Sequence, residues 1–339
     1  MTRKALVYFA LFWTAVWLIV FGPPENLDFG IGQMGRPVEG SLTVHFIDVG
    51  QADAAVILCG GEVMMIDGGN AADSSLIYSY LRNTLGISRV DYMIATHPHE
   101  DHIGGLSGAL NACSVGTVYS PVTEYTGKTF ESLKKYAEKQ GKTLTVPVQG
   151  QKIHLGDAEV QFISLNKAYE DINDQSIVVR IVFGDTSFLF TGDAEWEAEH
   201  DLIESGYDLR ATVLKVGHHG SGSSSAYAFL REVMPEYAVI SVGAGNSYGH
   251  PTEAALSRLR DAGAQILRTD QNGHIIVSSD GRNLTFTTEK GDGPVVQTGS
   301  GRRPTDCGQI LEGLARELLN FSKERWDDFI SWIERSIAW

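Results

Sequence analysis

Thr96-His97-Pro98-His99-Glu100-Asp101-His102 is the stretch on which the reading of this chain turns. It follows directly on an apolar run, Val90 to Ala95, that has the composition of a β-strand. On an extended loop alternate residues point the same way, so a histidine and carboxylate cluster this dense can converge on metal. His97 and His99 would serve one ion and Asp101 with His102 a second, or Asp101 would instead orient a bound water. Two later apolar runs also end in ligand-type residues. Phe188-Leu-Phe-Thr-Gly-Asp193 ends in an acid, and Leu214-Lys215-Val-Gly-His218-His219-Gly ends in paired histidines. Either alone is an ordinary turn; three such strand ends in one chain point to a shared site.

Around these motifs the chain alternates short apolar runs with periodic segments. Strands are expected at Leu42 to Val49, Ala54 to Cys59, Val63 to Ile66, Val160 to Leu165, Ile177 to Phe183, Ser187 to Thr191, Thr212 to Val216, Ala238 to Val242, Gln265 to Arg268 and His274 to Ser278. Helices are expected at Ser74 to Leu85, Lys128 to Gln140, Ala194 to Glu204, Ser224 to Val233 and Thr252 to Ala262. Helices interleaved with strands favour sheets covered by helices over an all-β sandwich, and the short strand-to-strand steps argue against a purely parallel sheet.

The bulk properties exclude several classes. A chain of 339 residues, 43% hydrophobic and 20% charged, is a folded protein rather than a disordered tail. Cys59, Cys113 and Cys307 are too scattered for a thiolate zinc site and too few for a disulfide framework. The net charge of −15 repels nucleic acid and anionic membranes wherever bound cations do not reverse the local field. No dedicated basic groove is evident: Lys134, Lys135, Lys139 and Lys142 belong to an amphipathic helix and its exit. No glycine-rich phosphate loop is present.

The two ends differ from the middle. Residues 1–22 read as a signal anchor or signal peptide: after Arg3 and Lys4 an uncharged run extends from Ala5 to Gly22. The positive-inside rule then places the remainder outside the cytoplasm, as a single-pass protein of a bacterial cell membrane, or secreted or periplasmic if the segment is cleaved. Residues 23–40 read as a linker, 41–288 as the domain that carries the motifs, 289–306 as a second linker and 307–339 as a C-terminal helical segment that packs back, forms a homodimer or lies on a membrane.

Beyond the residues themselves, the sequence resembles the metallo-β-lactamase fold hydrolases, and among them the soluble hydrolase domain of the competence DNA-uptake channel proteins. The resemblance covers about residues 42–285 and rests on Phe46-Ile-Asp48-Val-Gly-Gln51-Ala-Asp53, Ile66-Asp67-Gly-Gly, the cluster at 97–102, Asn173 with Ser176, Thr191-Gly-Asp193, Leu214 to Ser221, Tyr248-Gly-His250-Pro and Arg268-Thr-Asp270-Gln-Asn-Gly273. It implies an α+β, four-layer αββα sandwich with a metal pocket along one edge. By motif match it implies two divalent ions, zinc first and manganese as the alternative, bridged by Asp193. His97 and His99 complete one site, and Asp101, His102 and His218 the other. Many relatives have a further histidine on the first ion, but the segment around Asn173 and Ser176 has none.

The resemblance also implies a metal-dependent hydrolase acting through an activated water. Asp101, Asp67 and His250 stand in the catalytic roles, Asp67 as a buried orienting carboxylate and His250 as a substrate-facing proton donor or oxyanion contact. Lys215, His219, Ser221, Asn173 and Asp270 are candidate substrate or supporting residues. The expected substrate is a phosphodiester, DNA or nucleotide; a small-molecule ester or lactam and a noncatalytic, membrane-anchored binding module are the alternatives. No multi-span channel like that of the competence proteins is expected within these 339 residues.

Overall fold

The computed structural model describes residues 40–291. The chain opens with β1 (Leu42–Phe46), β2 (Ala54–Cys59), β3 (Glu62–Gly68), β4 (Arg89–Ile94), β5 (Ser114–Tyr119) and β6 (Leu144–Thr145). It continues with β7 (Lys152–Leu155), β8 (Ala158–Phe162), β9 (Val179–Phe183), β10 (Thr186–Phe190), β11 (Val213–Lys215), β12 (Tyr237–Ile240) and β13 (Gln265–Arg268). Finally β14 (Ile275–Ser279) and β15 (Leu284–Thr288) return to the first sheet, whose order is β15-β14-β1-β2-β3-β4-β5-β6; the second runs β13-β12-β11-β10-β9-β8-β7.

Both sheets are mixed, which fixes where the functional loops gather. In the first, β3, β4, β5 and β6 are parallel neighbours, and in the second β10, β11, β12 and β13 are. The remaining pairings are antiparallel, either between distant strands, as for β1 and β14, or as hairpins, as for β2 and β3, which are joined by Gly60-Gly61, both left-handed as a two-residue hairpin turn requires. Parallel strands end side by side, so the loops after β3 and β4 meet those after β10, β11 and β12 at one edge.

Three apolar clusters hold the layers. The middle one lies between the sheets, where Phe46 of β1 stacks on Phe190 of β10 with ring centroids 5.7 Å apart. A second joins the outer face of the first sheet to α1 (Ser74–Ser79), α2 (Glu100–Ile103), α3 (Leu106–Ala112) and α4 (Lys128–Lys139) through Met65, Leu106 and Phe130. The third joins the second sheet to α5 (Trp196–Glu204), α6 (Tyr227–Val233) and α7 (Glu253–Asp261) through Leu189, Leu202 and Phe229. Strands such as β1 and β10 are buried on both faces for this reason, the polar Thr43 and His45 of β1 included.

The short helices α2 and α3 and the strands β5, β6, β7 and β15 were not expected from the sequence. Glycines hide α2 and α3: a Cβ at Gly105 would lie 1.9 Å from the Gly68 carbonyl oxygen, so glycine is kept for close approach against helix propensity. The expected helix over 74–85 is α1 followed by a wider π turn over Tyr80–Thr84. No helix among the described residues is long and apolar enough to cross a membrane. The anchor or signal segment at 1–22 and the helical segment at 307–339 lie outside the described residues, as do nearly all of both linkers.

The loop that follows the paired histidines is fastened by two buried ionisable side chains. Glu199 of α5 accepts from the backbone amides of Ser225 and Ala226, while Arg258 of α7 donates to the carbonyls of Ser225, Gly222 and Ser224. Burial pushes the Glu199 carboxyl up from 4.5 to about 8 despite the amides and Arg258. The folded state therefore binds this proton more tightly than the unfolded chain. The associated stability is full below pH 4.5 and is lost as pH rises through about 8. Urea unfolding on either side of that window should show this decline, and Glu199→Gln should flatten it.

Candidate metal centre

The first sheet supplies the cluster after β4, placed as the sequence suggested. Thr96 anchors it: its backbone amide and hydroxyl donate to Asp67 Oδ1 and Oδ2 at 2.8 and 2.7 Å. Asp67, at the end of β3, has left-handed backbone geometry (φ 56°) and is 1% exposed. Its Oδ2 also accepts from Nδ1 of His102 at 2.8 Å, which leaves Nε2 of His102 as a bare lone pair. That Nε2 lies 3.1 Å from Asp193 Oδ1, on the loop after β10 of the second sheet.

His219 is built the same way from the opposite side. Its Nδ1 donates to the carbonyl of Ser241 at 3.0 Å and lies 3.4 Å from Asp53 Oδ1, fixing the tautomer. Its Nε2 faces Asp101 Oδ2 at 3.3 Å and Asp193 Oδ2 at 3.7 Å. Asp101, His102, Asp193 and His219 thus bring four donor atoms within 4.8 Å of one another. Nε2 of His102, Nε2 of His219 and Oδ1 of Asp193 are buried with no hydrogen-bond partner. Buried polar atoms without partners are rare, and a divalent cation among them would satisfy all three, so these residues fit the ion that the sequence motifs imply.

The close donor group differs at one position from the ligand set expected from the sequence. His219, not His218, sits with Asp101 and His102. Both have left-handed backbone (φ 47° for His218, 53° for His219), so the two rings leave the turn in different directions. His218 directs Nδ1 at Glu195 Oε1, 2.8 Å away, and Nε2 at Asp193 Oδ2, 3.8 Å away. The other half of the centre is looser. Nε2 of His97 faces Nδ1 of His99 at 3.0 Å, and Asp193 Oδ2 is 3.9 Å from His97 Nε2. His97 and His99 do not join Asp193 in a group as tight as the first.

The remaining candidates separate clearly. Lys215 is buried in an ion pair with Asp53 (Nζ to Oδ2, 2.6 Å), and its side chain is sealed beneath the site instead of facing substrate. Asp270 has both oxygens on Arg268. The Ser221 hydroxyl bonds that of Ser223 within its own turn. Asn173 donates to Glu195, and nearby Ser176 accepts from the Asp193 amide. His250 lies at the mouth, its ring edge-on to His218 at 5.5 Å between centroids. Two supporting acids had no assigned role from sequence. Asp53 occurs inside a quoted motif, and Glu195 stands two residues after Asp193, a spacing too common to single out.

Charge explains the directions of titration. Burial opposes charging His102, yet Asp193 and Asp67 outweigh it and hold its pKa well above the ordinary value. Burial likewise opposes ionising Asp193, but His102 and His219 hold it well below the usual carboxylate range. Burial lowers His250, and neighbouring His218 and His219 lower it further. The donors are thus poised as carboxylates facing imidazoles, an arrangement in which a cation can replace the shared protons. Asp67→Asn should weaken divalent-metal affinity about 10- to 100-fold, because His102 loses the acceptor that fixes its ring. Metal titration with a competing chelator measures this; unchanged affinity would remove Asp67 from the role.

A two-sheet sandwich clad in helices, with histidine and aspartate donors gathered at the ends of its parallel strands, defines a metallo-hydrolase fold. The Metallo-beta-lactamase superfamily model matches residues 47–244, and the chain belongs to that superfamily as a metal-dependent hydrolase. Competence protein ComA of Neisseria gonorrhoeae is 34% identical over 69% of this chain and 32% of its own length. ComE operon protein 3 of Bacillus subtilis is 30% identical over 72% of this chain and 34% of its own. The chain therefore spans about a third of the length of these curated relatives. Among solved structures, the metallo-beta-lactamase fold protein YhfI from Bacillus subtilis is similar at 13% identity, covering 70% of this chain and all of that one, with a TM-score of 0.48.

Proposed function

We propose that the chain hydrolyses phosphodiesters of DNA or nucleotides at a centre holding two divalent ions, zinc first and manganese as the alternative. The observation that carries this is the surrounding of Asp193. Imidazole nitrogens of His97, His218 and His219 lie 3.7 to 3.9 Å from its Oδ2, and His102 lies 3.1 Å from its Oδ1. Two dications against the two carboxylates Asp101 and Asp193 leave the pocket positive, which favours an anionic electrophile over a neutral lactam. The resemblance to the competence DNA-uptake proteins, a name that Competence protein ComA shares, supports a nucleic-acid substrate in the same direction.

Divalent ions at such a centre acidify water and polarise the electrophile. The protein's part is to hold and orient. Asp67 and Ser241 fix the tautomers of His102 and His219, and Thr96 fixes Asp67. Asp101, the most open of the four close donors, is positioned to accept a proton from an attacking water. His250 and His218 stand on the outer side, where a leaving oxygen departs, and Glu195 holds His218. Attachment to a bacterial cell membrane through residues 1–22, with the hydrolase domain outside the cytoplasm, belongs to the same proposal and is supported by the uncharged run from Ala5 to Gly22.

The test is turnover of a phosphodiester, a carboxylic ester and a lactam by metal-loaded protein, with and without His99→Ala. Phosphodiester turnover that chelation abolishes and zinc or manganese restores is expected. Turnover of only the ester or lactam would overturn the substrate class. Bound metal with no turnover of any would favour the binding module.

A further inference from the structure

We infer that Tyr248 is a stacking platform for a nucleobase flanking the phosphate held at the metal centre, a reading that rests on the phosphodiester proposal above. Tyr248 is 70% exposed, yet it is not a loose surface residue. Its ring lies against that of His250 at 5.8 Å between centroids and 26° between planes. His250 in turn meets His218 edge-on, and His218 points Nε2 at Asp193. A file of three rings thus leads from the donor group to solvent, with Tyr248 at its outer end.

The loop that carries it is locked. Asn246 Oδ1 accepts from the amides of Tyr248 and His250 at 3.1 Å each, and its Nδ2 donates to the carbonyls of Gly243 and His250. An exposed aromatic on a fixed loop binds a flat ring with little ordering penalty. The charge balance points the same way. With a net charge of −15 and no dense Lys/Arg run flanking the motifs, phosphate neutralisation is a weak source of contacts beyond the ions. Base stacking does not need it, and it tolerates any sequence because every base offers a π-face.

The experiment uses the full-length, zinc-loaded protein. Its binding to an oligothymidylate carrying one 2-aminopurine is compared with binding to an oligomer of equal length whose nucleotides are abasic, and cleavage of both is followed. Tyr248→Ala should weaken binding of the base-bearing oligomer by about 10-fold, within the range one base stack gives, and leave the abasic oligomer unchanged. Tyr248→Phe and Tyr248→Trp should retain binding, and quenching of 2-aminopurine should disappear only in the alanine variant. Equal wild-type binding of the two oligomers, no binding of either, or an unchanged Tyr248→Ala variant overturns the platform. Base-dependent binding without cleavage sinks the hydrolase reading and leaves the platform standing. Cleavage of both oligomers with the same KM does the reverse.

Discussion

Asp193→Asn should abolish tight divalent-metal binding and lower phosphodiester turnover by about 1,000-fold or more. The side chain is 3% exposed and lies between the donors from the two sheets: His102 at 3.1 Å on one oxygen, and His97, His218 and His219 at 3.7 to 3.9 Å around the other. An amide keeps the shape but removes the charge that balances the cations, and it presents an N–H₂ where an acceptor is needed. Loss of metal-based stabilisation of several kcal/mol corresponds to that factor in rate. The local backbone should survive, because the Asp193 contact to Ser176 is made by the main-chain amide. Elemental analysis with initial-rate measurements decides the point. Full metal content with near-normal turnover would remove Asp193 from the centre of the site.

Lys215→Met should destabilise the protein by roughly 3 to 5 kcal/mol, since it leaves the buried Asp53 carboxylate without its partner. The two side chains are 5% and 6% exposed and meet at 2.6 Å, joining the first sheet's β1–β2 loop to β11 of the second. Burial alone would push Asp53 up, and Lys215 with His219 holds it far below the usual carboxylate range instead. Asp53 also stands beside Nδ1 of His219, so the damage extends to a metal donor. Urea unfolding of chelator-treated protein measures the effect without metal linkage. Adding Asp53→Asn to the lysine variant should recover part of the loss, because the neutral amide no longer needs a counter-ion. A loss below about 1 kcal/mol would mean that water reaches the pair.

The site was legible from sequence where chemistry was dense and local. His97, His99, Asp101 and His102 stand within six residues at a strand end, and Asp193 closes an apolar run. The choice between His218 and His219 was not legible, because alternation along an extended chain does not apply where both residues turn left-handed. Lys215 was open to a substrate or a supporting role because its partner, Asp53, lies 162 positions away, a pairing that only the meeting of the two sheets creates. In the fold, the parallel strand β5 escaped notice. Its Ser-Val-Gly-Thr start reads as a turn, but Gly116 is there because a Cβ would lie 2.2 Å from the Asp91 carbonyl oxygen on β4. Glu199 and Arg258 were invisible for a related reason, since they serve backbone groups and leave no side-chain pattern.

The four close donors are divided between the sheets: Asp101 and His102 come from one, Asp193 and His219 from the other. An ion seated among them would be a cross-link, closing a chain loop of roughly a hundred residues and adding to the bonds that already tie the sheets at this edge, among them the Ile177 amide on the Thr96 carbonyl and the Lys215–Asp53 pair; closures of that length restrict the unfolded chain strongly. Acquiring metal is then also an act of assembly, and the affinity for the ion is shared with the free energy of folding. Copies that fail to load are the ones whose two halves part most readily and which proteases reach first, so the same residues that equip the centre for chemistry also sort finished molecules from unfinished ones.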